Sequence, residues 1–232
     1  MTAAARLLLA PALLLGSAAA AQGADAVLAP VPGGDFRARV QSMEERRFLT
    51  VVRQRFDFSC GSAALATLLH YHYGIRQAEE DAFRGMWAEG DRDQIRRLGF
   101  SLLDMKRYLS RFGLSANGFK VGLDEIAKAA TPGIALITIN NFRHFVVVKG
   151  VNEREVLVGD PSLGLRVMPR RRFEKAWNGV FFVIDAPQAR DRARFNDRSH
   201  WAGYPRAPLG SRFADPLSQQ VLALTAPFYR DF

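Results

Sequence analysis

The hydrophobic period of this chain changes once, at Thr131–Pro132–Gly133. Upstream, apolar residues recur at helical spacing; downstream, they fall into short runs separated by turn residues. Helices followed by closely connected strands restrict the chain to an α+β fold, with N-terminal helices packed on a C-terminal antiparallel sheet.

The spacing predicts helices at Ser42–Phe48, Cys60–Tyr73, Glu79–Trp87, Arg92–Arg97, Leu102–Phe112 and Leu123–Ala130. Start and stop signals support several of them: Ser42 with Glu45, and Ser101 with Asp104, form capping boxes, Ser59 stands at an N-cap, and Gly74 and Gly113 end helices. Ala64, Leu65, Leu68 and Leu69 give the Cys60 helix a wide apolar stripe, as a buried helix needs. Strands are expected at Ile134–Ile139, His144–Val148, Glu155–Gly159, Leu165–Met168 and Val180–Ile184.

The two ends read differently from the middle. Arg6, the apolar run Leu7–Leu15 and the small residues Ala18–Ala21 make residues 1–21 a cleavable signal peptide, because nine apolar residues are too few to span a bilayer that needs about 20. Residues 22–50 form a lead-in, 51–184 the main domain, and 185–232 an irregular extension with five prolines and seven arginines, draped on the domain and carrying a short helix at Ser218–Leu224. A periplasmic or secreted location follows, with no transmembrane domain after signal cleavage. In that location the positive charge, +9 for the full chain, signifies a solvated surface or acidic partners and no nucleic acid. Arg170–Arg171–Arg172 is read as a solvated face.

Composition matters most through cysteine. With one, Cys60, the chain has no intrachain disulfide and no zinc site built on several thiolates, and neither a metal nor a cofactor is expected. An unpaired thiol outside the cytoplasm is a liability unless buried or used. Cys60 stands at the first turn of its helix, where the partial positive charge of free N–H groups favours the anion that acts as nucleophile. Gly61 is expected to leave space for a substrate backbone. Gln54, six residues earlier on the approaching loop, could join the Cys60 N–H as a second donor to an oxyanion.

Of four histidines, His144 is the best base, since it opens a strand after the polar loop Asn140–Arg143. His70 and His72 lie two apart on one helix and point in different directions, which suits neither metal binding nor paired chemistry; His200 reads as structural. If the strand ending at Gly159 returns antiparallel to His144–Val148, Asp160 comes near His144 and could fix its tautomer; otherwise it is a plain turn aspartate before Pro161.

These residues carry a resemblance. RQRFDFSCGSAALATLLHYHYG (Arg53–Gly74), RHFVVVKG (Arg143–Gly150) and VGDPSLG (Val158–Gly164) resemble the bacteriocin-processing, or double-glycine leader, cysteine peptidases. The resemblance implies a papain-like fold over about Val51–Ile184, with Cys60 as nucleophile, His144 as base, Asp160 as orienting residue and Gln54 in the oxyanion hole. It further implies a peptide or protein substrate cut after Gly-Gly. Many members are fused to a membrane segment and an ATPase; this chain shows neither and looks closer to stand-alone exported members. An amidase or transglutaminase-like acyl transferase would share the Cys-His-Asp chemistry, and a catalytically silent peptide-binding or assembly module would share the fold. Gly33–Gly34 in the lead-in could be a self-processing site, although a flexible turn explains the pair as well.

Overall fold

The computed structural model describes residues 25–27, 37–39, 41–186 and 194–202. The expected signal peptide, the Gly33–Gly34 pair and the Ser218–Leu224 helix lie outside the described residues. The chain divides into two compact units, 1–46 and 47–232. In the first, β1 (Asp25–Val27) and β2 (Arg37–Arg39) pair antiparallel. The capping box before α1 (Met43–Arg47) forms as the sequence predicts: Ser42 N donates to Glu45 Oε2 at 2.8 Å and Glu45 N to Ser42 Oγ at 3.1 Å.

The second unit begins with four helices, α2 (Cys60–His72), α3 (Glu79–Glu89), α4 (Arg92–Leu98) and α5 (Leu102–Ser110). Next come β3 (Ser115–Lys120), α6 (Leu123–Ala129), β4 (Gly133–Ile139), β5 (Phe142–Val151), β6 (Glu155–Asp160), β7 (Gly164–Pro169), α7 (Arg170–Ala176), β8 (Trp177–Asp185) and α8 (Arg198–Ala202). The sheet runs β3–β8–β4–β5–β6–β7, with every neighbouring pair antiparallel. This is the expected α+β architecture.

Sheet burial explains the unbroken apolar run in RHFVVVKG. Phe145 and Val147 face α2 and pack with Ala64, Leu65, Leu68 and Leu69. Val146 and Val148 point the other way, into a second cluster with Leu123 and Ile126 of α6 and Phe173 of α7. A strand buried on both faces has no polar side to alternate with. Each fully buried Leu, Phe or Val contributes about 1.5–3 kcal/mol.

The differences from expectation have local causes. Strand β3 departs from the sequence expectation: it buries only Ala116, so its sequence lacks a strand-like apolar rhythm. The arginine run read as a solvated face opens α7. There Arg171 and Arg172 are exposed, while Arg170 pairs with Asp124 at 2.9 Å and Glu174 at 3.0 Å. The described part of the C-terminal extension docks on β5: Asn196 N donates to Lys149 O at 2.9 Å, and the Asn196 side chain bonds both N and O of Val151.

Candidate active site

Helix α2 begins at Cys60, and its burial between α3, α5 and the sheet fixes where the thiol sits. Ser59 occupies the N-cap position without capping the helix: its hydroxyl donates to Phe56 O at 2.9 Å and accepts from Phe56 N at 3.1 Å. The serine thus closes the preceding turn and leaves the first N–H groups of α2 without a side-chain cap, as an anion-binding helix end requires.

Gly61 serves a different purpose from the one expected. A Cβ there would stand 3.0 Å from both Met105 Cε and Phe100 Cβ, so the residue admits its core neighbours and does not open space for substrate.

The β5–β6 hairpin brings His144 and Asp160 together. Gly159 pairs with Val147, which places Asp160 and His144 diagonally on one face of adjacent strands. His144 Nε2 and Asp160 Oδ1 are 2.7 Å apart, with both residues buried. The same oxygen accepts from Ser162 N at 2.9 Å and Leu163 N at 3.2 Å, so Asp160 also organises the turn predicted for Asp160–Pro161–Ser162.

Asp160 Oδ2 faces Arg166 at 2.9 Å. Nothing local in the sequence marks this arginine, because only the β6–β7 register, with Asp160 opposite Gly164 and Val158 opposite Arg166, puts it beside the carboxylate.

The electrostatics follow from these contacts. Burial pulls His144 towards the neutral ring, but hydrogen bonds to Asp160 and Cys60 and the charges of both outweigh it, raising its pKa from 6.5 to about 9. Burial likewise opposes the Asp160 carboxylate, and His144, Arg166 and the Ser162 N–H overcome that and hold its pKa below the ordinary value. With Nε2 committed to Asp160, Nδ1 is buried without a well-formed hydrogen bond, and Cys60 is the other side chain that acts on the ring.

Gln54 lies on the loop before α2. Its backbone N donates to Pro161 O at 3.0 Å, tying the loop to the turn that follows Asp160. Its side-chain Nε2 donates to Phe56 O at 3.1 Å, which leaves the second amide N–H available. A cleft of about 500 Å³ runs between Val52–Arg55 and Ala78–Glu80, and a second of about 380 Å³ includes Arg143 and Phe145, the neighbours of His144. A larger cavity of about 630 Å³ lies between β3, β8 and α6 and includes none of the four predicted site residues.

Of the remaining histidines, His70 is exposed and His72 buried on α2, and His200 lies in α8. Among the described residues, no cluster of His, Cys, Asp and Glu could hold a metal ion, and no helix is long and apolar enough to cross a membrane.

Comparison with known proteins agrees on the family. Residues 49–189 match the model of the peptidase C39 family. The probable functional amyloid protease FapD of Pseudomonas fluorescens is 41% identical over 158 residues, covering 68% of this chain and 70% of that protein. FapD of Pseudomonas aeruginosa is 41% identical over 155 residues, covering 66% and 69%. Among solved structures, a double-glycine-motif protease from an AMS/PCAT transporter, in complex with its leader peptide, is 26% identical with a TM-score of 0.48, over 58% of this chain and 89% of that one. A single thiol at a helix start, a histidine–aspartate pair on adjacent strands and the matched family lead to one assignment: the chain belongs to the peptidase C39 family and is a cysteine peptidase.

Proposed function

We propose that Cys60, His144, Asp160 and Gln54 form the catalytic centre of an exported peptidase that matures a component of a functional amyloid system. The observation that carries this reading is the buried His144–Asp160 pair at 2.7 Å, with Cys60 as the other side chain acting on the ring. The His144 imidazolium, holding the proton taken from the thiol, stands beside Cys60 Sγ, which attacks the peptide carbonyl. The Cys60 N–H and the free Gln54 amide N–H receive the oxyanion. The imidazolium then protonates the departing amine, leaving a thioester, and His144 activates the water that hydrolyses it. Asp160 holds the tautomer and the charge of the ring.

The amyloid context rests on the two FapD relatives and the exported location on residues 1–21. Cleavage after Gly-Gly is proposed on the sequence resemblance. N-terminal profiling of exported proteins from cells carrying the wild-type chain or Cys60→Ala tests all three elements. The expected result is a new terminus, preceded by Gly-Gly in the precursor, that vanishes in the variant. Identical termini in the two strains would overturn the reading.

A further inference from the structure

The segment that carries Gln54 belongs to no helix or strand, yet its backbone is tied to the core at every second residue. Thr50 O accepts from Lys149 Nζ at 2.7 Å, Val52 N donates to Thr67 Oγ1 at 2.8 Å, and Gln54 N donates to Pro161 O at 3.0 Å. The three anchors come from β5, α2 and the β6–β7 turn, so the path to Gln54 is set by tertiary contacts. Between the first two ties, Val51 packs on Leu157 and Leu165.

Lys149 is the unusual anchor. It is fully buried, five residues along β5 from His144, and plays no part in the chemistry above. Its stem crosses Gly159, where a Cβ would stand 3.1 Å from Lys149 Cδ and 3.2 Å from Val51. Its Nζ lies 5.4 Å from the centre of the Tyr71 ring. Burial lowers its pKa from 10.5 to about 7, against the charge of Asp197 in the docked C-terminal segment. Burying an amine is costly, and an apolar side chain of similar volume would fill the same space without that cost. Packing therefore does not account for a lysine here. Fixing the Thr50 carbonyl does.

We propose that Lys149 is a positioning residue for Gln54: its amine holds the Thr50 carbonyl and thereby sets the register of the loop that aims the Gln54 amide at the oxyanion. This inference rests on the role given to Gln54 above.

A double-mutant cycle on the full chain tests it, with p-nitrophenyl acetate as an acyl donor that needs no peptide specificity and with Cys60→Ala as background. Gln54→Ala is expected to lower Cys60-dependent kcat by about 10²–10³-fold. Lys149→Met should lower kcat by about ten- to a hundredfold with little change in KM, the size expected when a catalytic group is misplaced. In the Gln54→Ala background Lys149→Met should have no further effect, because the amide it positions is gone.

Gly159→Ala, which displaces the amine without removing it, should show the same dependence on Gln54 and replaces Lys149→Met if that variant does not fold. Wild-type kcat in these variants, or losses that multiply with Gln54→Ala, would overturn the role of Lys149 and leave that of Gln54 intact. A Gln54→Ala enzyme with wild-type kcat would overturn the reading of Gln54 itself, and this inference with it.

Discussion

Asp160 and Arg166 form an ion pair, 2.9 Å from Oδ2 to the guanidinium, on the carboxylate oxygen that His144 does not use. The two oxygens thus have separate partners: one bonds His144, and the other is neutralised by a strand neighbour. Replacing Arg166 by Met leaves a buried carboxylate short of one partner. Stability should fall by about 1–3 kcal/mol, measurable by urea denaturation. Because Arg166 helps to hold Asp160 below its ordinary pKa, the acid side of the stability profile should also move to higher pH. An unchanged acid transition would show that His144 and the backbone donors suffice.

The basic limb of activity should report His144. Its ring is protonated at neutral pH and loses the proton through about pH 9, so kcat/KM, which needs the imidazolium, should fall above that value. Asp160 supplies much of the upward shift, and Asp160→Asn should therefore move the limb towards lower pH as well as reducing the rate. A pH–rate profile of both proteins checks this; a limb that stays in place would assign the ionisation elsewhere.

Two buried bases should oppose each other in the pH dependence of folding. His144 is raised from 6.5 to about 9, so its stabilisation is complete below pH 6.5 and is lost as pH rises through 9. Lys149 is lowered from 10.5 to about 7, so its contribution improves as pH rises from 7 to 10.5. Between pH 7 and 9 the folded chain keeps one extra proton on His144 and the unfolded chain one on Lys149, and the slopes cancel. In Lys149→Met the opposing contribution is gone, and unfolding free energy should fall as pH rises across that window. Denaturant titrations at several pH values separate the flat wild-type profile from the falling one.

Gly61 offers a stability test at the helix that carries Cys60. Gly61→Ala pushes a methyl against Met105 Cε and Phe100 Cβ, each at 3.0 Å. Overpacking of this kind costs about 1–3 kcal/mol. The methionine can yield but the Phe100 Cβ is fixed to its backbone, so α2 must shift and carry Cys60 with it. A lower midpoint of thermal unfolding together with slower Cys60 alkylation is expected; wild-type values in both would mean that the core gives way instead.

Much of this could be read from the chain, because local chemistry carries it. The period change at Thr131–Pro132–Gly133 identified helices before strands, and the Ser42–Glu45 and Ser101–Asp104 boxes marked helix starts that the structure has. Cys60, His144, Asp160 and Gln54 could be singled out because each stood where a capped helix, a strand opening, a turn and a loop give a side chain access. Even the approach of Asp160 to His144 followed from a single hairpin.

Partners fixed by distant packing were not legible. Ser59 has N-cap chemistry in sequence but spends it on Phe56, because the preceding turn offers both a donor and an acceptor. Gly61 looked like space for a substrate until Met105 and Phe100, some 40 residues away, came to fill it. Arg166 and Lys149 read as ordinary strand cations. One becomes the second partner of Asp160 through sheet register, and the other a buried strut on Thr50 through the packing of α2, β5 and β6. Sequence alone determined which residues are candidates for the chemistry of a cysteine peptidase; the tertiary structure decided which cations are withdrawn from water beside them, since desolvation and charge pairing depend on neighbours that only the closed fold supplies.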